Sequence, residues 1–287
     1  MDSLKELSKS RSFDGNVIRY SHESKELGCE MKFHIYVPPA ALTQQKKVPV
    51  LWFLAGITST DENFIIKSGA IRYASKEGLL LVCPDTSPRG CKIAGEDDSW
   101  DFGTGAGFYL DATQEPWSKN YRMYSYVSKE LFQLVNSAFA NWVQTDNHGM
   151  MGHSMGGCGA LNLTFKNPGQ YKSLSVFAPI CDPSNGKLGA KCFKGYLGDN
   201  QDLWNQYNPS HLAKSYQGEK LDILIDQGTA DEFLNTDLFP ETLTKVQNPN
   251  LSFTLRYHEG YPHNYFFIST FVEDHFNHHS SKLNKFC

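Results

Sequence analysis

The sequence predicts a three-layer α/β sandwich, in which helices cover both faces of a mostly parallel central sheet that begins with antiparallel strands. Short, nearly continuous apolar runs at residues 48–54, 79–84 and 174–179 are typical of buried parallel strands. Segments with apolar residues at helical spacing lie between such runs. Strands that alternate with helices in this way indicate an α/β fold.

The other predicted elements follow in chain order. Residues 16–24 and 29–37 alternate apolar with polar side chains, which indicates half-buried antiparallel strands at one edge of the sheet. Further strands are expected just before Ser154, at 221–226 and at 251–257, and helices at 63–78, at 124–142, directly after Ser154 and from about 263 to 279. Residues 181–215 are interpreted as a polar excursion, and residues 86–120 as a long irregular loop of the kind that shapes pockets.

Size and composition favour one large domain that acts on a small molecule. The chain has 287 residues, 40% hydrophobic and 20% charged, which suffices for a large core in a single domain spanning residues 1–287. Its net charge of −4 offers no basic surface for nucleic acid. We therefore expect a small-molecule substrate and no nucleic-acid partner.

The N-terminus and the cysteines lead to an expected compartment. The first ten residues mix charges of both signs without an apolar core, so they do not resemble a secretory signal, and no apolar run is long enough to cross a membrane. The seven cysteines, at 29, 83, 91, 158, 181, 192 and 287, lack C-x-x-C spacing and suit reduced thiols better than disulfides or zinc. We expect a cytoplasmic protein without a membrane partner.

The most informative motif is Gly152-x-Ser154-x-Gly156, which follows a short apolar run. Between a strand and a helix, this pattern holds a serine on a sharp turn where a base can reach its hydroxyl, and the glycines avoid side-chain clashes. The amide of the next residue, Met155, would lie at a helix N-terminus and stabilise an oxyanion. The pattern alone occurs by chance in about one chain in ten of this length. The prediction therefore depends on the apolar run before the motif and on the apolar residues at helical spacing after it.

A serine on such a turn is followed in the chain by an acid and then by a histidine base. The acid is expected in the loop after a late core strand, where we prefer Asp231, with Asp226 and Glu232 as alternatives. The base is expected after the last strand, where His263 is preferred and His258 is the alternative. The base would take the proton from the serine, and the acid would fix the tautomer of the imidazole.

The other histidines receive different interpretations. His275, His278 and His279 lie on the C-terminal helix and are predicted to face solvent. His34 and His153 are interpreted as structural residues.

The second oxyanion donor is expected in the loop after an early strand, where the Ile57 amide has the right position. Each such donor is worth on the order of 10² to 10³ in rate. Acylation of Ser154 and deacylation by water need no metal and no organic cofactor, so none is expected.

With these residues in place, the sequence resembles the S-formylglutathione hydrolase family, also called the esterase D family. Matching segments run through nearly the whole chain and lie at residues 52–57, 98–109, 121–126, 152–157 and 260–263. The resemblance implies an α/β-hydrolase fold and places the family's catalytic serine, aspartate and histidine at Ser154, Asp231 and His263. It places the family's oxyanion donors at Ile57 and Met155.

The resemblance, and not composition or spacing, implies the reaction. It is the hydrolysis of the thioester S-formylglutathione to glutathione and formate, the last step of glutathione-dependent formaldehyde detoxification, with side activity on small acyl esters. Since formyl is the smallest acyl group, we expect a tight acyl pocket, with Trp100, Gly56 and Phe108 as substrate contacts. Members of the family are commonly dimers, so the resemblance also makes a homodimer possible.

One position departs from many members of the family, which carry a cysteine where this chain has Ser59. Any thiol-based sensitivity assigned to that cysteine is therefore in doubt here. Cys158 lies about one helical turn after the nucleophile and is expected to be a packed small residue. Loop position alone makes Lys67, Lys191 and Lys194 candidates for binding the carboxylates of glutathione.

Rival functions of two kinds, catalytic and non-catalytic, are compared with hydrolysis of the thioester. A general carboxylesterase or an acyltransferase on the same fold would share the acyl-enzyme chemistry, so the triad does not separate either from a thioester hydrolase. A non-catalytic binding protein with a hydrolase fold would be expected to have lost the nucleophile, the base or the oxyanion glycine, and all three are present.

Overall fold

The computed structural model describes residues 4–284, and one nine-stranded sheet runs through them. The strands are β1 (Lys5–Ser12), β2 (Gly15–Ser24), β3 (Cys29–Val37), β4 (Val48–Leu54), β5 (Leu80–Pro84), β6 (Val143–His153), β7 (Ser173–Phe177), β8 (Leu221–Gly228) and β9 (Leu251–His258). Their spatial order is β1-β2-β3-β5-β4-β6-β7-β8-β9. The pairs β1–β2, β2–β3 and β3–β5 are antiparallel. The pairs β5–β4, β4–β6, β6–β7, β7–β8 and β8–β9 are parallel. The predicted mostly parallel sheet with antiparallel N-terminal strands is therefore confirmed.

Helices fill the connections between the strands. They are α1 (Pro39–Leu42), α2 (Glu62–Lys67), α3 (Ala70–Glu77), α4 (Met123–Ser125), α5 (Phe132–Ala138), α6 (Met155–Lys166), α7 (Lys187–Leu197), α8 (Gln201–Asn205), α9 (Pro209–Leu212), α10 (Pro240–Thr244) and α11 (Tyr265–Leu283). Short 3-10 segments occur at Trp117–Lys119 and Ala213–Ser215, and π-helical segments at Tyr126–Leu131 and Leu234–Leu238. Every helix within residues 4–284 is too short or too polar to span a bilayer.

Two glycines of β6 show that helices cover both faces of the sheet. A Cβ atom added at Gly149 would lie 2.9 Å from the His279 side chain of α11. One added at Gly152 would lie 2.1 Å from the Gly156 carbonyl of α6. Because side chains alternate along a strand, positions 149 and 152 face opposite sides, so α11 and α6 lie on opposite faces. Every residue of β4 and β5 is buried between such layers, which explains their continuous apolar sequences.

Two predicted helices are interrupted in the structure. The helix expected at 63–78 is divided into α2 and α3 at Ser68 and Gly69, where Gly69 has a φ of 71°. A left-handed residue cannot continue a right-handed helix, so the chain changes direction there. The helix expected at 124–142 begins as α4, passes through the π-helical segment and ends with α5 at Ala138.

The strand β1 and the helices of residues 181–215 have no counterpart among the predicted elements. Nearly all of β1 is exposed, so its sequence KELSKSRS carries no apolar alternation, and backbone pairing with β2 alone forms it. The interpretation of 181–215 as a polar excursion was too coarse, because α7, α8 and α9 lie in it and α7 buries Phe193 and Tyr196.

The prediction that the C-terminal histidines face solvent is wrong for His275 and His279, which are fully buried, and His278 is half-buried. These histidines lie on the side of α11 that packs against β7. The imidazole of His279 hydrogen-bonds to the hydroxyls of Ser173 and Ser175 at 2.6 and 2.8 Å. The hydroxyls satisfy the buried rings, so polar residues are stable on this inner helix face.

Candidate active site

The serine of the Gly-x-Ser-x-Gly motif stands at the junction of β6 and α6. Ser154 has φ 57° and ψ −122°, a conformation that costs a residue with a side chain on the order of 1–3 kcal/mol. The two glycines make the close turn possible, since a Cβ atom on Gly156 would lie 2.0 Å from the carbonyl oxygen of Leu54. A Cβ on Gly152 would collide with Gly156 in the same way. The motif therefore forms the predicted strand–turn–helix.

The backbone around the serine is fixed by three hydrogen bonds. The Ser154 amide donates to the carbonyl of Phe177 at 3.0 Å, which ties the turn to β7. The Ser154 carbonyl accepts from the amides of Cys158 at 3.0 Å and Ile180 at 3.2 Å. These bonds hold the unusual backbone angles in place. The Cys158 side chain is fully buried and burial raises the pKa of its thiol, which agrees with the expected packed small residue.

Asp231 and His263 are joined by a hydrogen bond. The His263 Nδ1 and Asp231 Oδ2 atoms are 2.6 Å apart, and the Asp231 side chain is completely buried. Asp231 also accepts from the Phe233 amide at 2.9 Å and from Gln227 Nε2 at 3.0 Å. The carboxylate is thus held by three donors and can fix the imidazole tautomer that leaves Nε2 free to accept a proton.

The alternative acid, Asp226, has a different set of partners. Its oxygens accept hydrogen bonds from Arg256 at 2.7 and 2.6 Å and contact His275 at 3.2 Å. Burial would raise the pKa of Asp226, but the hydrogen bonds and charges of His275 and Arg256 outweigh it and lower that pKa well below its usual value. The alternative base, His258, lies 3.3 Å from Asp226. The other alternative acid, Glu232, is exposed.

A cavity of about 310 Å³ contains both the serine and the histidine. It is lined by Gly56, Ile57, Thr58, Ser59, Asn63, Trp100, His153, Ser154, Leu188, Phe233, Leu238, His263, Asn264 and Tyr265. Its size is at the lower end of the range for small-molecule sites. Of the predicted substrate contacts, Trp100 and Gly56 lie in this lining. Among residues 4–284, no group of three or more His, Cys, Asp or Glu side chains is arranged to hold a metal ion.

The structure does not bring Phe108, the third predicted contact, to the cavity. Phe108 is 1% exposed and its ring lies edge-on against Phe193 of α7, at a centroid distance of 6.2 Å. Phe108 and the next residue, Tyr109, both have a φ of 49°, so the loop turns sharply here and sends both rings inward. The Tyr109 hydroxyl donates to the Ala55 carbonyl at 3.0 Å. Phe108 therefore packs against α7 outside the cavity, and Tyr109 supports the loop that precedes Ile57.

Two backbone amides are placed to bind an oxyanion. Met155 is the first residue of α6, so its amide has no partner within the helix. The Ile57 amide donates to no acceptor within the described part of the chain, although the next amide, Thr58, donates to the Gly105 carbonyl at 3.0 Å. Gly56 allows the close approach, since a Cβ atom there would lie 3.1 Å from the Ser154 Cβ. The arrangement suits nucleophilic acyl transfer.

Comparison with known proteins identifies the family. The Esterase family model matches residues 24–278. The chain is 52% identical to an S-formylglutathione hydrolase of Bos taurus over 98% of this chain and 99% of that protein. It is 51% identical to an S-formylglutathione hydrolase of Arabidopsis thaliana over 98% of each chain. The chain belongs to the S-formylglutathione hydrolase family. 

Solved structures agree with this membership of the S-formylglutathione hydrolase family. The structure of an S-formylglutathione hydrolase from Agrobacterium tumefaciens superposes with a TM-score of 0.92 at 42% identity. The match covers 97% of this chain and 99% of that one. A ferulic acid esterase at 16% identity, with a TM-score of 0.66, shares the fold alone. The predicted α/β-hydrolase fold is confirmed.

In this member of the S-formylglutathione hydrolase family, His153 is more than the structural residue that its sequence position indicated. Its ring lies beside that of His263, with centroids 4.4 Å apart, and it lines the cavity. Within residues 4–284 its buried Nε2 atom has no hydrogen-bond partner. Burial and the nearby His263 lower the pKa of His153 well below its usual value, so this ring stays neutral beside the base. By contrast, His34 pairs with Asp61 at 2.8 Å, as expected of a structural residue.

Sequence reasoning missed several apolar residues of the cavity wall. Leu188 belongs to α7, and Leu238 ends a π-helical segment, and neither element was predicted. Tyr265 begins α11, directly after the predicted base loop. Phe233 lies two residues after Asp231 and packs edge-on against His263 at 5.0 Å, so its position in the acid loop was the one available signal.

Proposed function

We propose that this chain hydrolyses the thioester S-formylglutathione to glutathione and formate. The observation that carries the proposal is that His263, which is hydrogen-bonded to Asp231, lines the same cavity as Ser154. Membership of a family whose relatives are named S-formylglutathione hydrolase supports this choice of substrate. The same site would give side activity on small acyl esters, since the acyl-enzyme chemistry is shared.

The acylation step assigns a role to each residue. The Ser154 hydroxyl attacks the formyl carbon while His263 Nε2 takes its proton, and Asp231 stabilises the imidazolium that forms. The amides of Met155 and Ile57 donate to the oxyanion of the tetrahedral intermediate. Collapse of that intermediate breaks the carbon–sulfur bond and leaves a formyl ester on Ser154. The departing thiolate takes the proton from His263, so glutathione leaves as a thiol.

Deacylation repeats the cycle with water. His263 takes a proton from a water molecule, whose oxygen attacks the formyl ester, and the same two amides bind the second oxyanion. When this intermediate collapses, the Ser154 oxygen regains its proton from His263 and formic acid is released, which ionises in water to formate and a proton. The apolar walls of the cavity, Trp100, Leu188 and Leu238, would limit the size of the acyl group that fits beside the serine.

The test is steady-state hydrolysis of S-formylglutathione and of 4-nitrophenyl acetate by the wild type and by Ser154→Ala. We expect Ser154→Ala to lose about 10⁴-fold or more in kcat and the wild type to prefer the thioester in kcat/KM. Ser137→Ala, a serine exposed on α5, is the matched control and should retain full activity. An active Ser154→Ala would exclude this nucleophile. A dead variant with equal wild-type rates on both substrates would favour the general carboxylesterase.

A cytoplasmic location belongs to the same proposal. Six cysteines of the described residues are free thiols, and four of them are buried. Unpaired thiols of this kind are usual in reducing compartments. Separation of cell fractions with an antibody against the chain would test the location, and recovery in a secreted fraction would contradict it.

A further inference from the structure

A second cavity adjoins the one that holds the serine. It has a volume of about 510 Å³ and is lined by Lys67, Asn264, Tyr265, Phe266 and Ser269. Asn264 and Tyr265 line both cavities, so the second one continues from the first across the start of α11. We call it the α11 groove. A substrate with a long leaving group needs room beyond the reacting carbon, and the α11 groove offers that room.

The side chains of the α11 groove are both apolar and polar. Phe266 lines the groove and is 80% exposed. A large apolar side chain this exposed can pack against the apolar part of a bound ligand. Asn264 caps α11 with its side-chain oxygen, which accepts from the Phe266 amide at 3.0 Å. Its side-chain nitrogen is left to donate toward a bound ligand.

The charge of the α11 groove comes from one lysine. Of the three lysines that loop position made candidates, Lys191 is paired with Asp101 and Lys194 with Asp199. Within residues 4–284, Lys67 has no carboxylate partner, and its Nζ atom lies 5.8 Å from the centroid of the Tyr265 ring. An ammonium over an aromatic face keeps its charge available to an incoming anion. Lys67 is therefore the candidate cation that remains free to bind a ligand carboxylate.

We propose that the α11 groove binds the thiol leaving group and that Lys67 binds one of its carboxylates. This inference rests on the proposed function, because it takes the leaving group to be glutathione, a tripeptide with two carboxylates. An extended residue spans about 3.5 Å, so the glycine carboxylate lies roughly 7 Å from the sulfur. We take the carboxylate to lie in the groove because the groove adjoins the cavity of Ser154 and shares Asn264 and Tyr265 with it.

The expected energetic effect is modest, because Lys67 is exposed to solvent. Exposed ion pairs are weak, so removing the charge should raise KM by about threefold to fivefold. Reversing it should raise KM by on the order of tenfold, since an attraction becomes a repulsion. The contact exists equally in the ground state and in the transition state, so kcat should change by less than about twofold.

The experiment compares Lys67→Met, Lys67→Glu and Lys194→Met on three substrates. The substrates are S-formylglutathione, its diester with both carboxylates blocked, and 4-nitrophenyl acetate. We expect the two Lys67 variants to raise KM for S-formylglutathione alone and Lys194→Met to change nothing. The difference between wild type and Lys67→Glu should shrink in about 0.5 M salt, because salt screens exposed charges. A merely structural role would alter all three substrates alike and would not depend on salt.

The outcomes separate this inference from the proposed function. If the wild type prefers S-formylglutathione but Lys67→Glu leaves its KM unchanged at low salt, the assignment of Lys67 is wrong and the thioesterase stands. An equal loss on the diester would also overturn it. If the wild type does not prefer the thioester over the aryl ester, the proposed function itself fails, whatever Lys67 does.

Discussion

Replacing Asp231 and Asp226 by asparagine, one at a time, should separate catalysis from stability. Asp226 lies in β8 and Asp231 in the loop that follows it, and both carboxylates are buried and contact a histidine. They differ in which histidine they hold. Asp231 holds His263, which lines the cavity of the serine, whereas Asp226 holds His275 inside the layer between β7 and α11.

For Asp231→Asn, the amide nitrogen facing His263 Nδ1 would favour the imidazole tautomer with its proton on Nε2. The Nε2 atom of His263 could then no longer accept the serine proton. Such a change of tautomer lowers kcat by about 10⁴-fold. The effect on folding should be small, about 1 kcal/mol, because the asparagine oxygen can still accept from the Phe233 amide. Gln227 can also reorient, since its Oε1 atom has no hydrogen-bond partner within the described residues.

For Asp226→Asn, the loss falls on stability. The change would leave Arg256 and the fully buried His275 without their shared carboxylate. Breaking a buried ion pair costs about 3–5 kcal/mol, and we expect about 3 kcal/mol because Arg256 is one-third exposed and keeps Asp274 at 2.8 Å. The folded fraction of this variant should retain kcat within about tenfold.

The assay is urea unfolding for each variant, together with kcat on 4-nitrophenyl acetate per mole of folded protein. The aryl ester reports the triad without depending on the thioester assignment. If Asp226→Asn loses kcat at unchanged stability while Asp231→Asn stays active, the assignment of the acid is refuted. Equal effects on both properties in both variants would refute the separation of roles.

Three further predictions concern the turn, acid stability and the acyl group. Gly152→Ala should lower the free energy of unfolding by about 3 kcal/mol, because the added Cβ atom would lie 2.1 Å from the Gly156 carbonyl oxygen. Urea unfolding measures this difference, and an unchanged free energy of unfolding would contradict the tight turn. Burial lowers the pKa of His148 to about 4 in the folded protein, whereas the same side chain in the unfolded chain binds a proton near pH 6.5. The free energy of unfolding should therefore fall as the pH drops from about 6.5 to 4. Between about pH 7.5 and 5 this loss is about 2 kcal/mol, and His148→Gln should remove it from the measured difference. Finally, kcat/KM should fall steadily from formyl to octanoyl esters, and equal rates on acetyl and octanoyl esters would contradict a tight acyl pocket.

The sequence predicts the core strands and the serine turn because both are local properties. A strand buried on two faces must be apolar at nearly every position, as β4 is, so burial is visible in the residues themselves. The turn at Ser154 needs residues without a Cβ atom two positions before and after it, and glycine is the residue that meets this need. The break at Gly69 carried a similar local signal, which the helical spacing around it obscured.

Other features depend on distant residues and could not be predicted. Loop position favours Asp231 over Asp226 in the sequence, but the partners of the two carboxylates, His263 for the first and Arg256 of β9 for the second, become visible only in the structure. His275 and His279 look like residues of an exposed helix face until the serines of β7 are placed beneath them. The inward turn of Phe108 likewise depends on contacts with α7, more than 70 residues further along the chain.

At Ser154 the side chain that catalysis needs also lowers the stability of the fold, because of the backbone angles of this residue. With φ 57° and ψ −122°, this is a conformation that glycine adopts with far less strain than any residue with a side chain. Ser154→Gly should therefore give a protein that is more stable than the wild type and has no nucleophile. Directed evolution that selects for heat resistance alone would favour loss of the serine, so any such screen of this scaffold must also demand turnover.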